Sequence, residues 1–149
     1  MSDEKERREE QLSTPESIAS TLLIALGMLT AARGIFWMFN SDNTNDIKLY
    51  ASLAAVMPLW GWAIGFFIGG MLIILSSWYL PCRDIKKRFA VTLFIGGGLS
   101  SASYFIVAIA GFGSAVNWLT PMQLIIFSMS TLMLAFFGGM MLWQKRNTY

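Results

Sequence analysis

Residues 58–88 read PLWGWAIGFFIGGMLIILSSWYLPCRDIKKR. No charged side chain occurs from Pro58 to Cys82, and then Arg83, Lys86, Lys87 and Arg88 follow almost at once. About 20 apolar residues coiled at 1.5 Å each cover the roughly 30 Å hydrocarbon core of a bilayer. Aliphatic and aromatic residues fill every face of this stretch, so no polar side is left for water. A helix of that kind is stable where lipid is the solvent and each backbone group is satisfied within its own coil. The basic cluster just past it belongs to the cytoplasmic flank, where membrane helices carry their excess of Lys and Arg.

Three further blocks repeat the pattern. Spans are expected at about 17–39, 58–79, 89–112 and 121–143. The composition agrees: 55% hydrophobic, 13% charged and a mean hydropathy of +0.54 over 149 residues, outside the range of an ordinary soluble domain. Ser13-Thr14-Pro15-Glu16 has capping-box spacing, with Ser13 as cap and Pro15 in the first turn, and Thr120-Pro121-Met122-Gln123 opens the last span in a similar way. Residues 40–46, NSDNTND, are too polar to remain in hydrocarbon. Ile47 to Met57 is mildly apolar and is expected to form a short interfacial helix, or the first turns of the second span, before Pro58 sets a start or kink.

Orientation follows from the cations. On a four-span path Lys5, Arg7, Arg8, Arg83, Lys86, Lys87, Arg88, Lys145 and Arg146 share one side, and only Lys48 lies on the other. The expected fold is therefore an all-α integral membrane protein of the cell membrane. It is a four-transmembrane-helix bundle with both termini cytoplasmic (N-in/C-in), a charged tail over 1–16 and a membrane domain over 17–149. A cleaved signal peptide is the rival reading of the first block, but Asp3, Glu4, Glu6, Glu9, Glu10 and Glu16 outnumber Lys5, Arg7 and Arg8, whereas a secretory n-region is net positive. Amphipathic aromatic rings near the span ends form the expected belts: Trp37, Trp60 and Trp118 outside, Trp78, Tyr79 and Trp143 inside.

Small residues mark where helices can approach. Gly61, Gly65 and Gly69 recur at every fourth position and so share one face. Phe67-Ile68-Gly69-Gly70, Phe94-Ile95-Gly96-Gly97 and Phe136-Phe137-Gly138-Gly139 each place an aromatic two positions before a glycine pair. Close backbone approach at such faces gains dispersion contacts, within the bundle or in a dimer. Convergence of the second, third and fourth helices at these pairs is expected, with larger side chains holding the other half apart. Gly98, Ser100, Ser101, Ala102 and Ser103 extend the small face of the third span.

Arg33 is the one charged residue inside a span. Such a charge costs roughly 2.5–3.5 kcal/mol at mid-bilayer on insertion scales and is a functional candidate by default. It lies about 9 Å along the axis from Phe39, so it can snorkel to headgroups, pair with Asp42 or Asp46, or bind an anion, a lipid headgroup or a partner. Arg83, Lys86, Lys87 and Arg88 are the other candidate headgroup contacts.

Several chemistries are excluded. There is no His, and the single Cys82 can form neither an internal disulfide nor a Cys/His metal site. Asp42, Thr44 and Asp46 alternate like the opening of a calcium loop, but Ile47 stands at the required glycine and Leu53 at the bidentate glutamate. No carboxylate lies within a span, so neither a general acid/base pair nor an acidic coupling group for transport can be assembled. No catalytic residue, metal or cofactor is expected, and the basic residues flank spans rather than forming a nucleic-acid face. The expected function is that of a small non-enzymatic membrane protein acting by helix packing with itself or a membrane partner, of the kind found as a bacterial or phage envelope accessory. The alternative is a pore-forming or conducting oligomer, holin-like or a small channel, with Ser100, Ser101 and Ser103 lining a path.

Overall fold

The computed structural model describes residues 14–39, 53–80, 86–112 and 118–146. They form four helices, α1 (Thr14–Phe39), α2 (Leu59–Tyr79), α3 (Lys86–Phe112) and α4 (Leu119–Arg146), with no strand among them. Each is long and apolar enough to cross a membrane. Their termini differ from the expected spans by a few residues. α1 starts at Thr14 with Pro15 in its first turn, where a missing N–H costs nothing. α3 starts at Lys86, so the basic cluster is partly helical, and α4 runs from Leu119 to Arg146. Ser13, Cys82, Arg83 and the 40–52 segment with Asp42 and Asp46 lie outside the described residues.

Residues 53–56 form a separate helical turn ahead of Pro58. Pro58 has φ −52° and ψ 144°, an extended conformation that breaks this turn from α2. The turn is held by the Leu53 carbonyl, which accepts from the Met57 N–H (3.1 Å) and from the Trp62 indole N–H (3.2 Å). Through this turn Leu53 is buried against the bundle.

The helices run up and down, and each packs chiefly on its neighbours in sequence, α1 on α2, α2 on α3 and α3 on α4. One end of the bundle carries Pro15, Tyr79, Phe89 and Met141 together. The opposite end is filled by a cluster that includes Trp37, Leu59, Phe66, Tyr104, Val107 and Leu124. The outer surface is greasy all round: Leu22, Trp78, Ile109, Met133 and Phe136 are among the exposed large side chains. In water such a surface would drive aggregation; against lipid it is ordinary.

Trp37 corrects one expectation. It is buried in the bundle, with its ring 5.5 Å from that of Phe66 in an edge-to-face contact, not turned outward as a belt residue. The interior there offered a partner for the whole indole, and burying that area outweighs an interfacial seat. Trp60, Trp78, Trp118 and Trp143 are exposed.

Candidate functional site

Several glycines stand where another helix backbone leaves no room for a side chain. A Cβ on Gly70 would lie 2.5 Å from the Ala31 nitrogen, and one on Gly34 2.6 Å from the Phe67 nitrogen. One on Gly97 would lie 2.7 Å from the Thr131 carbonyl oxygen and the Ala135 nitrogen, and one on Gly138 2.7 Å from the Ala90 carbonyl oxygen. Gly96 sits against Gly69 and Ile73, while Gly65 and Gly69 face the Ser103 and Ser100 hydroxyls. The glycine face of α2 is therefore in contact with α3 inside the chain. Gly61 meets only the flexible Met57 side chain, Gly139 is in looser contact with the Phe94 ring, and Gly98 meets nothing within 4 Å. Gly27 and Gly34 of α1 were not singled out by sequence spacing, although Gly27 and Ala31 are four apart and Gly34 follows one turn later. That small-residue stripe was the available signal.

Hydroxyls stitch the same seams. The Ser128 hydroxyl donates to the Ser101 carbonyl (3.0 Å) and lies 3.2 Å from the Ser101 hydroxyl, which must then be the donor in that pair. Thr131 donates back along α4 to Phe127 (2.9 Å) and Ser128 (3.0 Å). Ser103 donates to the Leu99 carbonyl. The Ser100 hydroxyl is buried against Gly69, without a hydrogen-bond partner among the described residues. All three serines that might have lined a path are buried in helix contacts.

The polar centre of the molecule is Arg33. Its guanidinium carbon lies 5.5 Å from the centroid of the Tyr104 ring, the geometry of a cation–π contact. The Tyr104 hydroxyl donates to the Thr30 hydroxyl (3.2 Å), which in turn donates to the Leu26 carbonyl (2.8 Å). Tyr104 also belongs to an aromatic chain that draws one ring from each helix: Trp37, Phe66, Tyr104 and Phe127, with centroids 4.8–5.5 Å apart. Arg33 Nη1 is fully buried and has no hydrogen-bond partner among the described residues. Its charge turns inward onto aromatic faces, and its sequence-proposed partners Asp42 and Asp46 lie outside the described residues. Tyr104, absent from the candidate residues read from sequence, is the group that receives it.

Of the basic cluster, Lys87 and Arg88 are exposed in the first turn of α3. Among the described residues no group of His, Cys, Asp and Glu is arranged to hold a metal ion. Compared with protein-family models, curated proteins and solved structures, the chain matches none.

Proposed function

We propose that this chain is a non-enzymatic multi-pass protein of the cell membrane, with both termini cytoplasmic, that acts by packing its lipid-facing surface against itself or another membrane protein. An accessory role in a bacterial or phage envelope fits that reading. The observation that carries it is the contrast between interior and exterior. Inside, Ala63, Phe66, Ile73, Tyr104 and Val107 are at most 1% exposed, so the bundle axis is filled by side chains. The serines that a conducting reading would use are buried in interhelical contacts. Outside, α4 presents Met122, Met129, Met133, Met140 and Met141, unbranched side chains that adapt to varied partner shapes. The orientation is supported by the Lys and Arg asymmetry and by an up-and-down bundle whose first and last helices bring Pro15 and Met141 to one end.

Dye release from liposomes carrying purified protein tests this directly. Intact vesicles are expected at protein to lipid ratios where a channel would empty them. Release at a low ratio would replace this reading with the conducting oligomer. Disulfide trapping through Met133→Cys in a Cys82→Ser background tests the packing surface itself; crosslinked species are expected in the membrane, and their absence in every partner background would remove α4 as the contact face.

A further inference from the structure

The four helices share one docking pattern. Gly70 of α2 sits over the Gly27 carbonyl and Ala31 nitrogen of α1, and Gly34 of α1 over the Ala63 carbonyl and Phe67 nitrogen of α2. In the second hairpin Gly97 of α3 sits over the Thr131 carbonyl and Ala135 nitrogen of α4, and Gly138 of α4 over the Ala90 carbonyl and Phe94 nitrogen of α3. Each glycine thus closes over one backbone hydrogen-bonded pair of its neighbour, a residue and the one four places on. α2 and α3 meet reciprocally as well. A Cβ on Gly69 would lie 3.2 Å from the Gly96 carbonyl oxygen and 3.0 Å from the Ser100 nitrogen, and one on Gly96 3.1 Å from both the Gly69 carbonyl oxygen and the Ile73 nitrogen.

These contacts define a pseudo-two-fold axis through Gly69 and Gly96, perpendicular to the helices. It carries residue n of α2 to n+27 of α3 (63 to 90, 69 to 96, 70 to 97) and residue n of α1 to n+104 of α4 (27 to 131, 34 to 138). Depth agrees with it: Ala63 and Ala90 are each the fifth residue of their helix, and Gly27 and Thr131 the fourteenth and thirteenth of theirs. An axis running along the bundle would carry α1 onto α3 instead, and the fourteenth residue of one does not match the fifth of the other. In a membrane this is the relation of inverted repeats, which move as rigid bodies against each other.

Side chains break the symmetry. The ring chain of Trp37, Phe66, Tyr104 and Phe127 fills one end of the bundle. Its counterparts at the end carrying Pro15 are Met141, Leu93, Ser77 and Leu23. This smaller set leaves a cavity of about 300 Å³ there, with Leu23 of α1 on one wall and Leu134 and Phe137 of α4 on another. One end is therefore shut and the other open, although equivalent backbone contacts surround both. The four glycines within the hairpins would bring a Cβ to 2.5–2.8 Å from backbone atoms, against 3.0–3.2 Å at the Gly69–Gly96 contact between them. The hairpins are the tighter units, and the contact on the axis is the looser one.

We propose that α1–α2 and α3–α4 are rigid halves that rock about the Gly69–Gly96 contact, so that α1 and α4 close at the Pro15 end as they part at the Trp37 end. The two states exchange the roles of the two ends, and the aromatic set makes the described state the major one. The proposal rests on the membrane insertion proposed above and not on any packing partner. Ile18 with Met140 reports the Pro15 end, and their counterparts Met122 with Phe36 report the other; all four are exposed. Each pair is replaced by cysteines in a Cys82→Ser background, spin-labelled in liposomes, and its distances are measured by pulsed electron resonance. Ile18 with Trp78, also exposed, is the control within one hairpin.

A minority population is expected, shorter at Ile18–Met140 and longer at Met122–Phe36. Phe127→Leu, which gives the shut end the side chain of its counterpart Leu23, is expected to raise both minorities together by about 2- to 12-fold, the weight of one aromatic pair in a two-state equilibrium. Phe127→Leu with Trp37→Met is expected to raise them further, with the control distance constant. A single distance at both pairs, in wild type and in every variant that keeps the control distance, overturns the proposal. A change at one end alone, or a shift of the control pair in step with the others, overturns it too, since the halves would then not move as rigid bodies. Flotation separates the two levels: protein that floats but shows one state loses the rocking alone, and protein that fails to float loses the insertion reading.

Discussion

The Arg33 guanidinium lies 5.5 Å from the centre of the Tyr104 ring, joining α1 to α3 across the bundle, while its Nη1 has no hydrogen-bond acceptor among the described residues. A cation–π contact is worth about 0.5–2 kcal/mol depending on desolvation, less than the roughly 2.5–3.5 kcal/mol an intramembrane Arg costs on insertion scales. On the proposed membrane insertion, Arg33 is therefore a net liability to stability. Arg33→Met, which keeps the length without the charge, is expected to stabilise the bundle by about 0.5–3 kcal/mol, the difference between those terms. Unfolding in mixed micelles measures this, and a destabilised Arg33→Met variant would show that the charge has a strong acceptor.

Tyr104 separates the two interactions. Tyr104→Phe keeps the ring under Arg33 and in the Trp37–Phe66–Tyr104–Phe127 chain but deletes the bond to Thr30. Interhelical hydrogen bonds in membrane proteins average about 0.6 kcal/mol, so a loss of that size is expected. Tyr104→Leu also removes the aromatic contacts and is expected to cost about 3 kcal/mol, in the range of large aromatic core deletions. Equal losses in the two variants would mean that the ring contributes nothing beyond its hydroxyl.

Gly97 and Gly98 are neighbours in sequence with opposite surroundings. A methyl on Gly97 would press on the α4 backbone at Thr131 and Ala135, which cannot move aside, whereas Gly98 meets nothing within 4 Å. Gly97→Ala is expected to cost about 1–3 kcal/mol by forcing α3 from α4. Gly98→Ala is expected to be neutral or to stabilise by up to about 1 kcal/mol through helix propensity. Thermal unfolding of the two variants in one detergent decides it; matching effects would mean the α3–α4 seam is not the close contact described.

This pair also shows where reading the sequence stops. The four apolar blocks are legible because length and hydropathy are local properties, and the helix ends shift only where capping and charge are ambiguous, as at Lys86. Which glycine in Gly96-Gly97-Gly98 faces α2, which faces α4 and which faces neither is a matter of helix rotation, and rotation is set by the partners. Arg33 stood out as a lone charge. Its receptor Tyr104 lies 71 positions away in sequence, on α3, with no local pattern to mark it. The groove between α1 and α4 is likewise invisible to local pattern, since it arises from two helices that do not pack.

Trp37 differs from the other tryptophans near the span ends by being buried. In single-tryptophan variants, lipids brominated on their acyl chains are expected to quench Trp60, Trp78, Trp118 and Trp143 and to leave Trp37 largely unquenched. Burial also predicts that Trp37→Ala is the most destabilising of these substitutions, about 3 kcal/mol or more, because it opens a cavity beside Phe66. Quenching of Trp37 equal to that of Trp118 would return it to the lipid interface.

The first turn of α3 sets helix stability against orientation. Lys86, Lys87 and Arg88 stand where the helix dipole disfavours cations, each at a cost of about 0.3–1 kcal/mol. Replacing all three with Gln is thus expected to strengthen the isolated helix end. The same change removes part of the positive charge on which the proposed cytoplasmic placement of this segment rests. With Arg83 left in place, labels near Asn43 and near residue 87 are expected to react from opposite sides of intact cells in the wild type and to give a mixed pattern in the triple variant. A wild-type protein labelled at both positions from one side would refute the four-span path, whereas a triple variant labelled like wild type would leave orientation to the remaining cations, Lys145 and Arg146 among them.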